Sequence, residues 1–571
     1  MPATSELSSI SILTDRLTYR SRTGKKLVAC WDRSAHAETE SAPFVLMAPK
    51  YAESKKNNLQ IAYYLAANGF NVLRFDHACH VGESEGVMSL FTLGDAVEDI
   101  RGSLDFLEES FGVREVILFS ASLSARCSFR AAALDDRVVR LISLVGVLNI
   151  RYTLYQIYKE DLVAGHIEGK RWGINDILGF EIDLDHLFDR MVKDDMHDRE
   201  GTKKDLAWAK TPIVYLSAER DAWVDPNDVD LLLRSREHTV VHVIKDALHE
   251  VRENPRAARE TLKLIVKACL SDSLQSIPDT TIIEPDKKQV IARNKIEREM
   301  LKRAQPEVEP EKSFWTNYLK KYSILERFED YQEYLDILGS HLGEIDSEDM
   351  LLDAGCGNGL FGIWIIRDLL ERGRKLPVFP PPMYVALDLT QTGLAEACRR
   401  HADAGYELAA NLTSTPRPLL DLAYAQADLE ECSLKENDGK KGTQLPFADN
   451  CFDKICCSLV VSYLQEPWVV IRELQRILAP GGKIVISSMK PHCDMSTIYR
   501  DFLHQDVNDN ELESARDLLR AAGKIKVKEE KGYYRFFTGE QMAAMARSAG
   551  LGNIKIECSF GDQTHFIAAE K

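Results

Sequence analysis

Phe44-Val45-Leu46-Met47, Phe70-Asn71-Val72-Leu73-Arg74-Phe75, Val116-Ile117-Leu118-Phe119 and Ile213-Val214-Tyr215-Leu216 are short, nearly continuous apolar runs separated by amphipathic stretches. A strand that is apolar on both faces must be covered on both, which restricts these segments to a parallel sheet between helices. From about Arg151 to Lys210 a charge-rich, helical stretch interrupts the pattern and reads as an insertion lying over the sheet. Strand–helix alternation stops near Ser271 and resumes at Met350 with its own glycine-rich turn. Between the two, Lys287 to Arg303 is highly charged with helical propensity, and Gln305-Pro306-Glu307-Val308-Glu309-Pro310-Glu311-Lys312 reads as a linker. The expected fold class is α/β with two domains, 10–303 and 313–571, an insertion at 151–210 and a linker at 304–312. The 571-residue length agrees with more than one domain.

Composition excludes several classes. With 72 basic and 89 acidic residues the net charge is −17, so no global basic footprint exists for nucleic acid, and anionic lipid would repel such a surface. No apolar run reaches about 18 residues, so no membrane insertion is expected. The first residues lack a basic start followed by an apolar core, so no secretory signal is expected either. The 12 cysteines show no CxxC spacing, which fits free thiols in a reducing cytoplasm. His77 and His80 stand three apart, but no third ligand lies nearby, and no metal is expected.

After the apolar run 116–119 comes Ser120-Ala121-Ser122-Leu123-Ser124-Ala125-Arg126 and then a helical stretch. A nucleophile on a strand-to-helix turn needs small residues two before and two after it, because the two backbones nearly touch there. Here serine stands in both places. Asp221 follows the run 213–216, and His249 follows Val241 to Ile244, so nucleophile, acid and histidine come in the order of an α/β-hydrolase, each beyond a strand's carboxyl end.

The stretch from about 10 to 303 resembles the acyl-ACP thioesterase (myristoyl acyltransferase) of bacterial luminescence operons, an α/β-hydrolase family. The matching segments are Leu65 to Val72, Arg74-Phe75-Asp76 with His80-Val81-Gly82, Ala121 to Arg126, Val145 to Arg151, Asp221 to Val224 and Ile283-Glu284-Pro285-Asp286. The family also carries A-x-S-x-S at its elbow. The resemblance implies Ser122 as nucleophile, Asp221 as acid and His249 as base. It implies backbone oxyanion donors at Leu123 and, from the turn Ala48-Pro49-Lys50-Tyr51-Ala52, at Tyr51, although Lys50 stands where a glycine was expected. The insertion 151–210 would be the acyl-binding cap. The partners implied are an acyl carrier protein or another acyl thioester, and a small-molecule acyl substrate. Such carriers are usually acidic, so docking would need a local basic patch, for which Arg126, Arg130 and Arg140 are candidates.

Met350-Leu351-Leu352-Asp353-Ala354-Gly355-Cys356-Gly357-Asn358-Gly359-Leu360 is a strand and a D-x-G-x-G-x-G turn that opens a helix. A dinucleotide fingerprint would read G-x-G-x-x-G, and Asp353 would repel a pyrophosphate but not a cationic methionine moiety. The pattern resembles class I S-adenosylmethionine-dependent methyltransferases, Rossmann-like α/β domains. Downstream motifs keep the order: Tyr384 to Asp388, Ala427-Asp428-Leu429, Leu445 to Asp449 with Phe452 to Ile455, Leu478 to Ile486, Phe537 to Glu540 and Ala549 to Leu551. The resemblance implies S-adenosylmethionine held by Asp353, Gly355, Gly357, Gly359, Asp388, Asp428 and Leu429. For the methyl acceptor, Ser462 stands where a base is often found; Tyr463 and His492 complete the candidate pocket, with 492–534 as its lid.

Together the halves read as a bifunctional enzyme that releases an acyl chain through an acyl-serine and methylates the product, including the freed carboxylate as a methyl ester. Two alternatives stay open: methylation of a carrier-bound polyketide or peptide intermediate before release, and one half acting as a non-catalytic module.

Overall fold

The computed structural model describes residues 10–35, 42–271, 280–305, 311–373, 380–409, 420–433 and 444–571. The chain divides into two compact units, residues 1–307 with 522–527 and residues 308–521 with 528–571. No helix among the described residues is long and apolar enough to cross a membrane.

The first unit is built on eight strands: β1 (Ile12–Arg20), β2 (Lys26–Ser34), β3 (Phe44–Ala48), β4 (Asn71–Phe75), β5 (Val116–Ala121), β6 (Val138–Leu144), and, after a small hairpin of β7 (Ile174–Ile177) and β8 (Phe180–Asp183), β9 (Ile213–Ala218) and β10 (Thr239–Ile244). The order is β1-β2-β4-β3-β5-β6-β9-β10. The pairs from β4 to β10 are parallel, and β2 is antiparallel to β1 and β4. Alternate residues Val45, Met47, Ile117, Phe119, Val214 and Leu216 form a buried cluster with Leu65, Leu262 and Ile265 from the helices Leu59–Ala67 and Pro255–Leu270. The chain runs from β3 to β4 on one side and then crosses to β5 on the other. That reversal opens a crevice beyond the carboxyl ends of β3 and β5.

The insertion between β6 and β9 is not purely helical. It holds the helices Ile150–Tyr158, Leu162–Ile167, Leu184–Lys193 and Arg199–Trp208 together with the β7–β8 hairpin. The hairpin turns on Leu178 and Gly179, both with positive φ (51° and 94°), and a two-residue turn ending in glycine between alternating apolar residues was the available signal.

The charged stretch that separates the domains in sequence is also part of this unit. Helix Lys287–Ala304 places Glu297 against Arg74 of β4, a fully buried guanidinium. Arg74 Nη1 and Nη2 donate to the two Glu297 oxygens at 2.6 and 2.7 Å, and Nε donates to Asp32 of β2 at 2.6 Å. The expected linker is thereby narrowed. Residue 304 ends one helix, Glu311 begins the helix Glu311–Leu319, and 306–310 lie outside the described residues.

The second unit carries β11 (Met350–Ala354), β12 (Met383–Asp388), β13 (Asp421–Gln426), β14 (Phe452–Cys457), β15 (Leu478–Met489), β16 (Gly552–Ser559) and β17 (Thr564–Glu570), in the order β13-β12-β11-β14-β15-β17-β16. The first five are mutually parallel, and β17 is antiparallel to both its neighbours. Leu352, Val385, Ile455, Ile484 and Ile567 face Val470, Leu474, Met542 and Ala546 of the helices Pro467–Ile477 and Gly539–Ser548 in one dry cluster. Here the order reverses between β11 and β14, which opens the equivalent crevice.

Removing Glu297 takes from the buried Arg74 its two-pronged carboxylate and leaves it Asp32 alone. Glu297→Ala should therefore cost the first unit about 3–5 kcal/mol. The triple variant Asp32→Asn, Arg74→Met, Glu297→Leu, which removes all three buried charges together, should cost clearly less than Glu297→Ala, as read by denaturant unfolding.

Candidate active sites

Ser122 joins β5 to the helix Leu123–Leu134 with φ 53° and ψ −127°, a conformation that costs energy for a residue with a Cβ. The neighbouring chain over-determines it. Ser122 N–H donates to Leu144 C=O at 3.0 Å, and Val147 N–H donates to Ser122 C=O at 3.0 Å. The flanking serines do more than keep the turn small. Ser120 is fully buried, and Ser124 Oγ donates to the carbonyl of Pro49 in the turn after β3, tying the elbow to that turn.

From this turn Ser122 Oγ stands 2.8 Å from His249 Nε2. His249 Nδ1 is 2.8 and 3.0 Å from the two Asp221 oxygens. Asp221 Oδ1 also accepts the N–H groups of Trp223 (2.8 Å) and Val224 (3.2 Å), which fixes the carboxylate. The loops after β5, β9 and β10 thus bring the three sequence-predicted residues into one hydrogen-bonded chain. Such a chain can move a proton from a serine hydroxyl to an imidazole whose cation a carboxylate stabilises. The backbone N–H groups of Leu123 and Tyr51 meet no acceptor among the described residues. Tyr51 is anchored through its side chain: its hydroxyl donates to Ile177 C=O at 2.8 Å, and its ring lies edge-on to Phe91 and Phe180.

His77 and His80 do not converge on a metal position. His80 Nε2 accepts Ala52 N–H at 3.1 Å, and burial pushes the ring down to about 3, so it is neutral. His77 Nδ1 faces Asp99 at 3.3 Å. Nor do the arginines behind the nucleophile form a docking patch. Arg126 is fully buried against Asp205 (2.5 Å), which Arg130 shares (2.5 Å), and Arg140 donates to Ala268 C=O at 2.9 Å. Arg126 and Arg130 instead staple the helix Leu123–Leu134 to Asp205 of the helix Arg199–Trp208, an intramolecular role that single residues in a sequence do not announce.

In the second unit, Asp353, Gly355, Gly357, Asp388, Asp428 and Leu429 all line one cavity of about 240 Å³ beyond β11. Gly355 and Gly357 have φ of 86° and 56°, and Gly357 N–H donates to Asp388 Oδ2 at 2.9 Å. Asp388 Oδ1 accepts both the N–H and the hydroxyl of Thr390, so the acid is aimed before anything binds. Asp353 is buried and accepts the Tyr384 hydroxyl at 2.6 Å; burial pushes its carboxyl up to about 7. Gly359 is placed differently from its expected role. It does not line the cavity, and a Cβ there would lie 2.6 Å from His401 Nε2 and 2.8 Å from Ala397 Cβ, so this glycine serves helix packing.

The expected acceptor residues fall in different places. Tyr463 lines the cavity, but Ser462 and His492 do not. Ser462 is buried with its hydroxyl 2.6 Å from that of Ser488, and His492 sits in the turn after β15. The cavity is also lined by Glu311, Trp315, Tyr318, Tyr322 and Tyr331, from the segment that precedes the first strand. Glu311 accepts Trp315 Nε1 (3.1 Å), Lys528 Nζ (2.8 Å) and Tyr534 OH (2.5 Å), which joins this segment to the end of the expected lid. The i, i+3, i+7 spacing of Trp315, Tyr318 and Tyr322 was the signal available for it.

A small electrophilic cation fits this donor set. The carboxylates of Glu311, Asp353, Asp388, Asp428 and Glu430 line the cavity with no Lys, Arg or His among the described lining residues. Asn358 Oδ1, also on the wall, is buried with no hydrogen-bond partner among the described residues.

Residues 23–305 match the acyl transferase family, and residues 352–486 match a methyltransferase domain family. The chain is an enzyme that joins an acyl transferase domain to a methyltransferase domain. The acyl transferase of Photobacterium phosphoreum is 28% identical over 251 residues, covering 42% of this chain and 79% of that protein. The acyl transferase of Aliivibrio fischeri is 28% identical over 272 residues, 46% of this chain and 87% of that protein. Among solved structures, an esterase of Pyrococcus furiosus aligns at a TM-score of 0.34 with 17% identity, over 45% of this chain and 92% of its own.

The Asp353 carboxyl has a sign that can be checked. With its folded value near 7 and an ordinary value near 4, the folded protein holds a proton between about pH 4 and 7 that the unfolded chain has lost. Its contribution to stability therefore falls as pH rises through that window. Asp353→Asn should remove that fall for the second unit, as measured by thermal unfolding at pH 5 and pH 8.

Proposed function

We propose that the chain transfers an acyl group from a thioester, such as an acyl carrier protein, through Ser122, and methylates the acyl compound with S-adenosylmethionine. Two observations carry this reading: the Ser122–His249–Asp221 hydrogen-bonded chain on its strained turn, and the acid-lined glycine cradle of the second unit.

In the first reaction His249 Nε2 takes the Ser122 proton as Oγ bonds to the carbonyl carbon. The carbon–sulfur bond breaks, and the thiol leaves with that proton. Water or another acceptor then attacks the acyl-serine, giving its proton to His249 and from there back to Ser122. Asp221 holds the imidazole with Nε2 turned to the serine. The N–H groups of Leu123 and Tyr51 serve as the donors to the carbonyl oxygen in this reading, and each aligned donor of this kind is worth about 2.7–4 kcal/mol.

In the second reaction the cofactor supplies an electrophilic methyl group when bound. Asp388 would hold the ribose hydroxyls and Asp428 the adenine amine, and Gly355 and Gly357 would let the backbone approach closely. The acid-rich wall attracts the positive charge.

One order of events releases the acid first and methylates its carboxylate, which is ionised at neutral pH without a base. The second order, methylation of a carrier-bound chain before release, is favoured by the wall itself. A free carboxylate entering the cavity meets the acids Asp388, Asp428 and Glu430 and no Lys, Arg or His among the described lining residues, whereas a thioester-bound chain brings no charge there.

Ser122→Ala should lower acyl transfer at least about 10³-fold and abolish fluorophosphonate labelling. Incubated with acyl-carrier substrate and methyl-labelled cofactor, this variant should accumulate methylated carrier-bound chain if methylation comes first, and no methylated product if release does. Label recovered only on carbon or nitrogen sinks the methyl ester. Asp388→Ala should weaken cofactor binding by calorimetry about 10- to 100-fold, the loss of a charge-assisted hydrogen bond. Wild-type protein with no serine labelling or no cofactor binding would make the corresponding half a non-catalytic module.

A further inference from the structure

Lys50 occupies the turn after β3, between Pro49, which accepts the Ser124 hydroxyl, and Tyr51, the oxyanion-donor candidate. Its side chain is 13% exposed, and its ammonium is held by two carboxylates. It lies 2.5 Å from Glu250 Oε2 and 3.3 Å from Glu53 Oε1, and Glu250 is the residue directly after His249. Arg252 pairs with both Glu53 and Glu250, which closes a ring with Lys50, and Lys526 adds a further contact to Glu250 Oε2 at 3.1 Å. The Glu53 and Glu250 side chains are only 4% and 6% exposed, so water screens this ring little.

The ring joins two loops that the sheet holds far apart. β3 and β10 are separated by β5, β6 and β9, which at the usual strand spacing places them about 19 Å apart. Over that distance the carbonyl-oxygen donor comes from the β3 loop and the general base from the β10 loop. Their mutual placement has to hold within about 0.5 Å for the reaction to proceed. Neither parent strand can set it, because each loop leaves its strand separately.

We propose that Lys50 is a positioning residue for acyl transfer: its ion pair with Glu250 sets the Tyr51 N–H against His249 across the mouth of the site. The proposal rests on Ser122 being the nucleophile. It also gives a physical reason for lysine where a glycine was expected, since a glycine there would leave the Arg252–Glu53 pair to bridge the two loops without the contact adjacent to Tyr51.

The test is acylation by the p-nitrophenyl ester of a medium-chain fatty acid, on full-length protein. Rates are normalised to active sites titrated to completion with a fluorophosphonate. Lys50→Met should lower the acylation rate per titrated site about 10- to 100-fold with KM within about twofold, and Lys50→Arg should restore most of it. Glu250→Gln should show at least a similar loss, and the double variant should be no worse than the worse single one, because Lys50 acts through Glu250. A purely structural role would reduce the number of titratable sites and leave the rate per site unchanged. That result, or equal losses in Lys50→Met and Lys50→Arg, overturns the proposal. If the wild-type probe adduct maps to a residue other than Ser122, the nucleophile assignment falls, and the role of Lys50 falls with it. Adduct at Ser122 with an unimpaired Lys50→Met rate removes the role of Lys50 alone.

Discussion

A parallel strand that is dry on both faces has only its ends for chemistry, and the handedness of the crossovers puts the useful loops at the carboxyl end. Both units obey this constraint, and the position of nearly every functional group follows from it. Ser122, Asp221 and His249 leave β5, β9 and β10 in the same direction. Asp353, Asp388 and Asp428 stand at or just beyond the ends of β11, β12 and β13. Each sheet also reverses its strand order once, which leaves a gap that no crossover helix fills. The serine turn stands beside one such gap and the glycine turn beside the other.

The two sites use charge in opposite ways. In the first unit ionised groups are kept in compensated clusters, such as Arg74 with Asp32 and Glu297, or Lys55 with Asp76 and Glu83. In the second unit acids converge on one cavity without basic neighbours on the wall, and burial raises Asp353 and Asp388 above the ordinary carboxylate range. Such a site is costly for the free protein and is relieved by a cation, so binding energy is stored where the ligand's charge will sit.

What was legible in the sequence was what depends on local order. Strand runs, the serine turn, the glycine turn and the succession of acids after strands all follow from neighbours within a few residues, and the structure places them at strand ends. Features set by distant partners were not legible. Arg126 looks like a surface arginine on a helix until Asp205 covers it. Gly359 looks like a third cradle glycine until His401 packs over it. Trp315, Tyr318 and Tyr322 precede the first strand of their unit and gain meaning only when the chain folds back to make them a cavity wall. Ser462 has the right place in the chain, but its hydroxyl is drawn to Ser488.

The Glu297 fork on Arg74 also decides where this chain can be divided. Helix Lys287–Ala304 reads in isolation as a charged spacer, yet it supplies half the anionic partners of a guanidinium in the sheet, and Gln305 just after it donates to Gly82 C=O at 3.1 Å. A gene cut before residue 287 would leave a cation in the core with one partner, whereas a cut after residue 305 leaves the fork intact. The unit of inheritance for the first activity therefore extends well beyond its last strand, and any natural or engineered fusion has to splice downstream of this helix.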